Sequence, residues 1–250
     1  MTAHVNDRRY APIAALLMLL FASPAFADKA MLVLDASGSM WSQIEGKSKI
    51  QIAREVVGDL AKDWPAETEL GLIAYGHREK ANCGDIQTLV ALAKNNWSAI
   101  KAAVGGINPK GKAPLADAVR YAAKELRSEE VKATVILVSD GLETCNEDPC
   151  DVASELKRAR VDFTVHVVGF GTNAEENKQL RCLAENTGGR FLGASNASEL
   201  KQAMASTAEP VAKPAPERKT TSPRSMRRSE GCGSSTLRLV SAFTMRMAKR

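Results

Sequence analysis

Six short apolar runs punctuate the sequence, and stretches with helical spacing lie between most of them. The first run is Ala30-Met31-Leu32-Val33-Leu34. Runs this short and this continuously apolar suit strands covered on both faces. The others are Leu70 to Tyr75, Ile86 to Leu92, Val135 to Val138, Phe163 to Val168 and Arg190 to Leu192, with Ile86 to Leu92 expected at an edge. Between the first two, Ala53, Val56, Val57, Leu60 and Ala61 recur on one helical face, and Pro65 marks the stop. Trp97, Ile100, Ala103 and Val104 predict a short helix. Pro114 suits the first turn of another, with Leu115, Ala118, Val119, Ala122 and Leu126 on its inner face. Further helices are expected over 152–159, over 174–186 ahead of Gly188-Gly189, and over 198–206. This alternation predicts an α/β fold: a doubly wound, mainly parallel six-stranded sheet with helices on both faces.

Ligands of such sheets bind at the carboxyl ends of the strands, so the residues just after each apolar run are the candidates. Asp35-Ala36-Ser37-Gly38-Ser39 follows the first run, and Ser139-Asp140-Gly141 follows the most apolar one. Either motif alone reads as an ordinary turn or helix cap. Together, at the ends of two strands expected to be neighbours, they bring carboxylates and hydroxyls to one place. Hard oxygen donors suit Mg²⁺, Ca²⁺ or Mn²⁺ and not zinc or copper. The hydroxyls can ligate directly, and the carboxylates can hold metal-bound water.

The whole-chain charge of +5 suggests a polyanion partner until it is divided. Residues 210–250 carry ten Lys/Arg against two Glu, a net of +8. Residues 1–27 carry Asp7, Arg8 and Arg9, a net of +1, which leaves −4 for residues 28–209. The domain expected over 28–209 is thus mildly acidic, and no nucleic acid is expected to bind it. Residues 1–27 have a basic start, an apolar stretch from Ala11 to Ala22 and a closing Ala25-Phe26-Ala27. That is the grammar of a cleaved secretory signal, and the apolar stretch is shorter than the roughly 20 residues of a spanning helix. The protein is expected to be exported, to a periplasm or beyond. Pro210, Pro214, Pro216 and Pro223 give residues 210–250 a linker composition, followed by basic residues; a solvated tail is expected. Contact with anionic surfaces, or an out-of-frame extension, are the other readings of that segment.

Export changes the meaning of the cysteines, because thiols pair in oxidising compartments. Cys83, Cys145, Cys150 and Cys182 are expected to form two disulfides, in any of three connectivities, and Cys232 is the odd one. The motifs Asp35-Ala36-Ser37-Gly38-Ser39, the Gly-rich stretch before Pro114-Leu115, and Ser139-Asp140-Gly141 together resemble those of a von Willebrand factor type A domain. The likeness extends to Gly71-Leu72-Ile73-Ala74-Tyr75-Gly76 and Val167-Val168-Gly169-Phe170-Gly171, and covers about 28–206. More specifically, the chain is similar to bacterial exported members. The resemblance implies a metal-ion-dependent adhesion site at the top of the sheet, where a divalent ion leaves a position for a carboxylate of a protein partner. Asp35, Ser37, Ser39 and Asp140 match that site. The family's usual Thr before Pro-Leu is replaced by Ala113, whose methyl group cannot ligate. The resemblance therefore implies a non-enzymatic binding module, with a metal-free scaffold as the alternative.

Competing chemistries fit less well. Gly106 to Lys112 matches most of a phosphate-binding loop, but the Ser or Thr that would hold Mg²⁺ is again Ala113, and Pro109 removes a backbone donor. No G-x-S-x-G elbow occurs, and no nucleophile, base and orienter form a set, so a hydrolase is disfavoured. Asp117 is expected to be a solvated helix residue, His77 a loop residue and His166 a structural strand residue.

Overall fold

Leu32 and Leu34 of the first strand pack into one apolar cluster, and Met31 and Val33 into a second. Alternate side chains of a strand point to opposite faces, so this strand is the spine between two core layers. The computed structural model describes residues 29–60, 64, 66–126, 133–141, 143–159 and 163–207. The expected signal segment and tail lie outside them.

The spine is β1 (Lys29–Asp35), flanked by β4 (Glu69–Tyr75) and β6 (Ala133–Ser139), both parallel to it. Beyond β6 lie β7 (Phe163–Phe170) and β8 (Phe191–Ala194), also parallel. Beyond β4, β5 (Ile86–Ala93) runs antiparallel at the edge. The order is β5-β4-β1-β6-β7-β8. Each of the six apolar runs is a strand of this sheet, and the central ones are buried on both faces.

The helices are α1 (Lys49–Leu60), α2 (Trp97–Gly106), α3 (Leu115–Glu125), α4 (Pro149–Arg158), α5 (Ala174–Asn186) and α6 (Ala197–Thr207). α1, α2 and α6 cover one face through Ile50, Val57, Ile100 and Leu200. α3, α4 and α5 cover the other through Val119, Leu156 and Leu183. The sheet is thus doubly wound. No helix among the described residues is long and apolar enough to cross a membrane.

Two features had no periodic signal in the sequence. A short 3-10 turn, Gly38–Trp41, follows β1, and a hairpin of β2 (Gln43–Ile44) and β3 (Lys47–Ser48) follows it. Glu45 and Gly46 turn this hairpin with φ of 50° and 81°. Two positive φ values are what a two-residue loop between right-twisted strands needs.

Of the three connectivities left open, the structure has Cys83–Cys145 and Cys150–Cys182. The second joins α4 to α5, and the first ties the loop before β5 to the loop after β6. Their sequence separations are 62 and 32 residues. Closing loops of that length in the unfolded chain contributes about 2–4 kcal/mol each. Reduction with dithiothreitol is expected to lower the melting temperature by about 2–4 °C for every kcal/mol lost. Calorimetry with and without reductant checks this, and an unchanged melting curve would contradict the two bonds.

Candidate metal site

Leu34 of β1 stands opposite Val138 of β6 in the parallel ladder. The next residues along, Asp35 and Ser139, are the last of their strands, and Ser139 Oγ donates to Asp35 Oδ2 at 3.0 Å. Asp35 is 1% exposed and also accepts from the Ser37 backbone N–H at 2.8 Å through Oδ1. Burial first, and then the charge of Asp140, push the Asp35 carboxyl above the ordinary range. Burial also pushes the Tyr75 phenol at the end of β4 far up, so it stays neutral.

The hydroxyls form a directed chain. Ser39 Oγ donates to Asp140 Oδ1 at 2.6 Å. A hydroxyl has one proton, so in the 2.9 Å contact between Ser37 Oγ and Ser39 Oγ the donor is Ser37. The chain runs Ser37 to Ser39 to Asp140 and joins the ends of β1 and β6. The other oxygen of Asp140 accepts from Lys49 Nζ at 3.1 Å. All four sequence-predicted residues thus meet in one place.

The loop after α2 closes a second side. Its backbone lies against the β1 loop, with Gly38 N donating to the Gly111 carbonyl at 3.0 Å. Lys110 N and Gly111 N both donate to the Gly76 carbonyl, at 3.0 and 2.7 Å. Gly76 has φ of 71°, and a Cβ there would strike the backbone of this loop. Trp41 of the 3-10 turn holds the same loop, donating its indole N–H to the Pro109 carbonyl at 2.9 Å. Ala113 lines the cleft where the resemblance placed it, beside Asp35, Ser37, Ser39, Asp140, Thr144 and, at the start of α5, Glu176.

The donor set suits a hard divalent cation: two carboxylates and two hydroxyls, with no sulfur or imidazole. Two buried carboxylates beside one ammonium leave a negative balance that a cation would neutralise. Among the described residues, no group of three or more His, Cys, Asp or Glu is placed to hold a metal, so the fit depends on the serine hydroxyls.

The von Willebrand factor type A domain model matches residues 31–206. This chain belongs to the von Willebrand factor type A family. It is similar to the uncharacterized protein YwmD of Bacillus subtilis, 31% identical over 214 residues, covering 80% of this chain and 96% of that one. The uncharacterized YwmC of the same organism is 29% identical over 192 residues, covering 69% and 84%. Among solved structures it resembles the pilus adhesin SpaC of Lactobacillus rhamnosus GG, with a TM-score of 0.62, 16% identity, and coverage of 74% and 30%. Proximal thread matrix protein 1 of the mussel byssus, described with a zinc-occupied MIDAS motif, has a TM-score of 0.56, 19% identity, and coverage of 73% and 45%. The chain spans less than half of either structure, and at these identities the likeness is one of fold.

Three residues of this type A domain escaped the sequence. Thr144 takes the Ala113 N–H on its hydroxyl at 2.7 Å and returns its own N–H to the Ala113 carbonyl at 3.1 Å. Asp85 anchors the loop after β4, accepting from Arg78 N, Arg78 Nε and Glu79 N at 2.7, 2.6 and 3.0 Å. Lys49 is the third. A lone Thr, Asp or Lys has no spacing that marks it out. Of the other polar residues, Asp117 is a partly exposed residue of α3 that pairs with Arg120, and buried His166 accepts from Arg190 N at 3.2 Å as a strand residue. His77, by contrast, is in a loop but half-buried, with one ring nitrogen 3.1 Å from Gln87 Oε1.

The Asp35 and Asp85 carboxyls are shifted in opposite directions. Burial works against the Asp85 charge, but its bonds from Arg78 and Glu79 prevail and hold its pKa low. Its contribution is therefore present above the unfolded carboxylate pKa and lost as pH falls through the folded one. Asp35, held high, contributes most below its unfolded pKa and loses that contribution as pH rises through the folded one. Asp35→Asn is expected to raise the metal-free melting temperature at pH 7 by about 2–4 °C per kcal/mol gained. The Ser139 hydroxyl can turn to the Gly141 carbonyl, 3.3 Å away, and accept from the new amide. The gain should fade on acidification; melting curves from pH 4 to 8 check this, and a gain independent of pH would contradict it.

Proposed function

We propose that this chain is an exported, non-enzymatic binding module that engages a protein partner through a divalent cation. Asp35, Ser37, Ser39 and Asp140 would hold the ion, Mg²⁺ in the first place and Ca²⁺ or Mn²⁺ otherwise. The observation that carries the reading is the Ser37–Ser39–Asp140 hydroxyl chain, which joins three oxygen-bearing side chains from two strand ends at one open cleft, with Asp35 beside them on the Ser37 backbone N–H. The ion would supply Lewis acidity toward a partner carboxylate. The protein's part is to orient the two serines, with Asp35 fixed by Ser37 and Ser139.

Ala113 removes one hydroxyl from the set, and water fills such a gap readily at Mg²⁺. Two disulfides favour an oxidising compartment, which supports export together with the signal-like residues 1–27. The similarity in fold to a pilus adhesin supports a role in protein contact. The second reading is a metal-free scaffold, and the ion pair between Lys49 and Asp140 favours it, because Asp140 already has a cation on one oxygen.

Titration calorimetry separates the two. Millimolar Mg²⁺ or Mn²⁺ should give binding heat and a higher melting temperature, and Asp35→Ala should abolish both while the domain stays folded. No heat and no shift would remove the metal reading. Ala113→Thr should tighten Mg²⁺ binding by about tenfold, the worth of one good ligand contact of about 1.4 kcal/mol. An unchanged constant would contradict the ligand assignment.

A further inference from the structure

Lys49 opens α1 beside the cleft, and its side chain is only 10% exposed. Lysine is almost never buried without a partner. Here the ammonium donates to Asp140 Oδ2 at 3.1 Å and to the Gly171 carbonyl at 3.2 Å. Gly171, just past β7, has φ of 61°, and a Cβ there would lie 2.9 Å from Lys49 Cε. The glycine is thus what makes room for the lysine stem. The β2–β3 hairpin ends immediately before Lys49, and Lys49 N donates to the Ser42 carbonyl at 2.8 Å. The start of α1, the end of β6 and the end of β7 together seat one positive charge on a candidate metal ligand.

We infer that Lys49 is a resident cation of the site, which weakens the hold on a divalent ion and strengthens the hold on the anion that follows it. The inference rests on the metal reading above and concerns charge. Asp35 and Asp140, both ionised against a bound ion, carry −2, Lys49 brings the sum to −1, and Glu176 and Lys112, which also line the cleft, cancel each other. A divalent ion then leaves it at +1, which an incoming carboxylate neutralises. Without Lys49 the loaded site would already be neutral and would attract a carboxylate less. Like charges a few ångströms apart in a partly buried site interact strongly, so Lys49 trades affinity for the ion against selectivity for an anionic partner.

The test is Mn²⁺ titration of the purified protein, with and without acetate as the anionic probe, in wild type, Lys49→Met, Lys49→Gln and Lys49→Arg. Lys49→Met should bind Mn²⁺ on the order of tenfold tighter, and Lys49→Gln should follow it while keeping a donor to Asp140. Lys49→Arg should match wild type. Acetate should tighten Mn²⁺ binding in wild type and do so less in the neutral variants. Folded neutral variants that bind Mn²⁺ no tighter than wild type overturn the inference and leave the metal reading intact. Mn²⁺ binding by the neutral variants alone would overturn both, because wild type would then hold no ion for acetate to follow. No binding by any form overturns both. The acetate arm in wild type needs no variant to fold: loss of the acetate effect there overturns the inference.

Discussion

The parallel register between β1 and β6 is the constraint on which the site depends. Leu34 faces Val138 in that ladder, so β1 and β6 end at Asp35 and at Ser139 in the same place. A parallel sheet with both faces covered permits no gradual slip, because a shift of one residue would turn Leu32 and Leu34 into the opposite core layer. The packing that holds Val33 and Leu137 buried is thus also what holds Asp35 against the Ser139 hydroxyl. Stability and site geometry share one cause.

The loops refine what the register supplies. Three segments, 37–42, 107–113 and 140–145, converge on the strand ends, and bonds between loops tie them together. Trp41 fastens the 107–113 loop through the Pro109 carbonyl, Thr144 fastens Ala113, and Cys83–Cys145 fastens the segment that carries Thr144. A cleft built this way is pre-organised, so little ordering remains to be done when a ligand arrives. Its electrostatics are unusual in one respect. Two buried carboxylates would repel, and Lys49 offsets one of them from within the fold.

The fold was legible from the sequence because its signal repeats. Leu70 to Tyr75 or Val135 to Val138 can be read as buried strands from four to six neighbouring letters. The four residues of the candidate site were legible because two short motifs fall at the ends of such strands and resemble those of the type A family. Lys49 was not legible, since a lysine at the start of an amphipathic helix looks like any solvated one until β7 is folded beside it. The β2–β3 hairpin has two-residue strands, too short for a period, and its turn places Glu45 where Asn or Asp would be the recognisable letter. The disulfide pairing depends on which loops and which helices meet, which spacing does not encode.

The central claim is that the ends of β1 and β6 form a cation site with Lys49 already in place. Crystals grown or soaked in Mn²⁺ and measured at the manganese absorption edge test it most directly. The account predicts an anomalous peak among Asp35, Ser37, Ser39 and Asp140, with the Lys49 ammonium still on the second oxygen of Asp140. A cleft without anomalous density at saturating Mn²⁺, or a peak confined to another part of the surface, would contradict it.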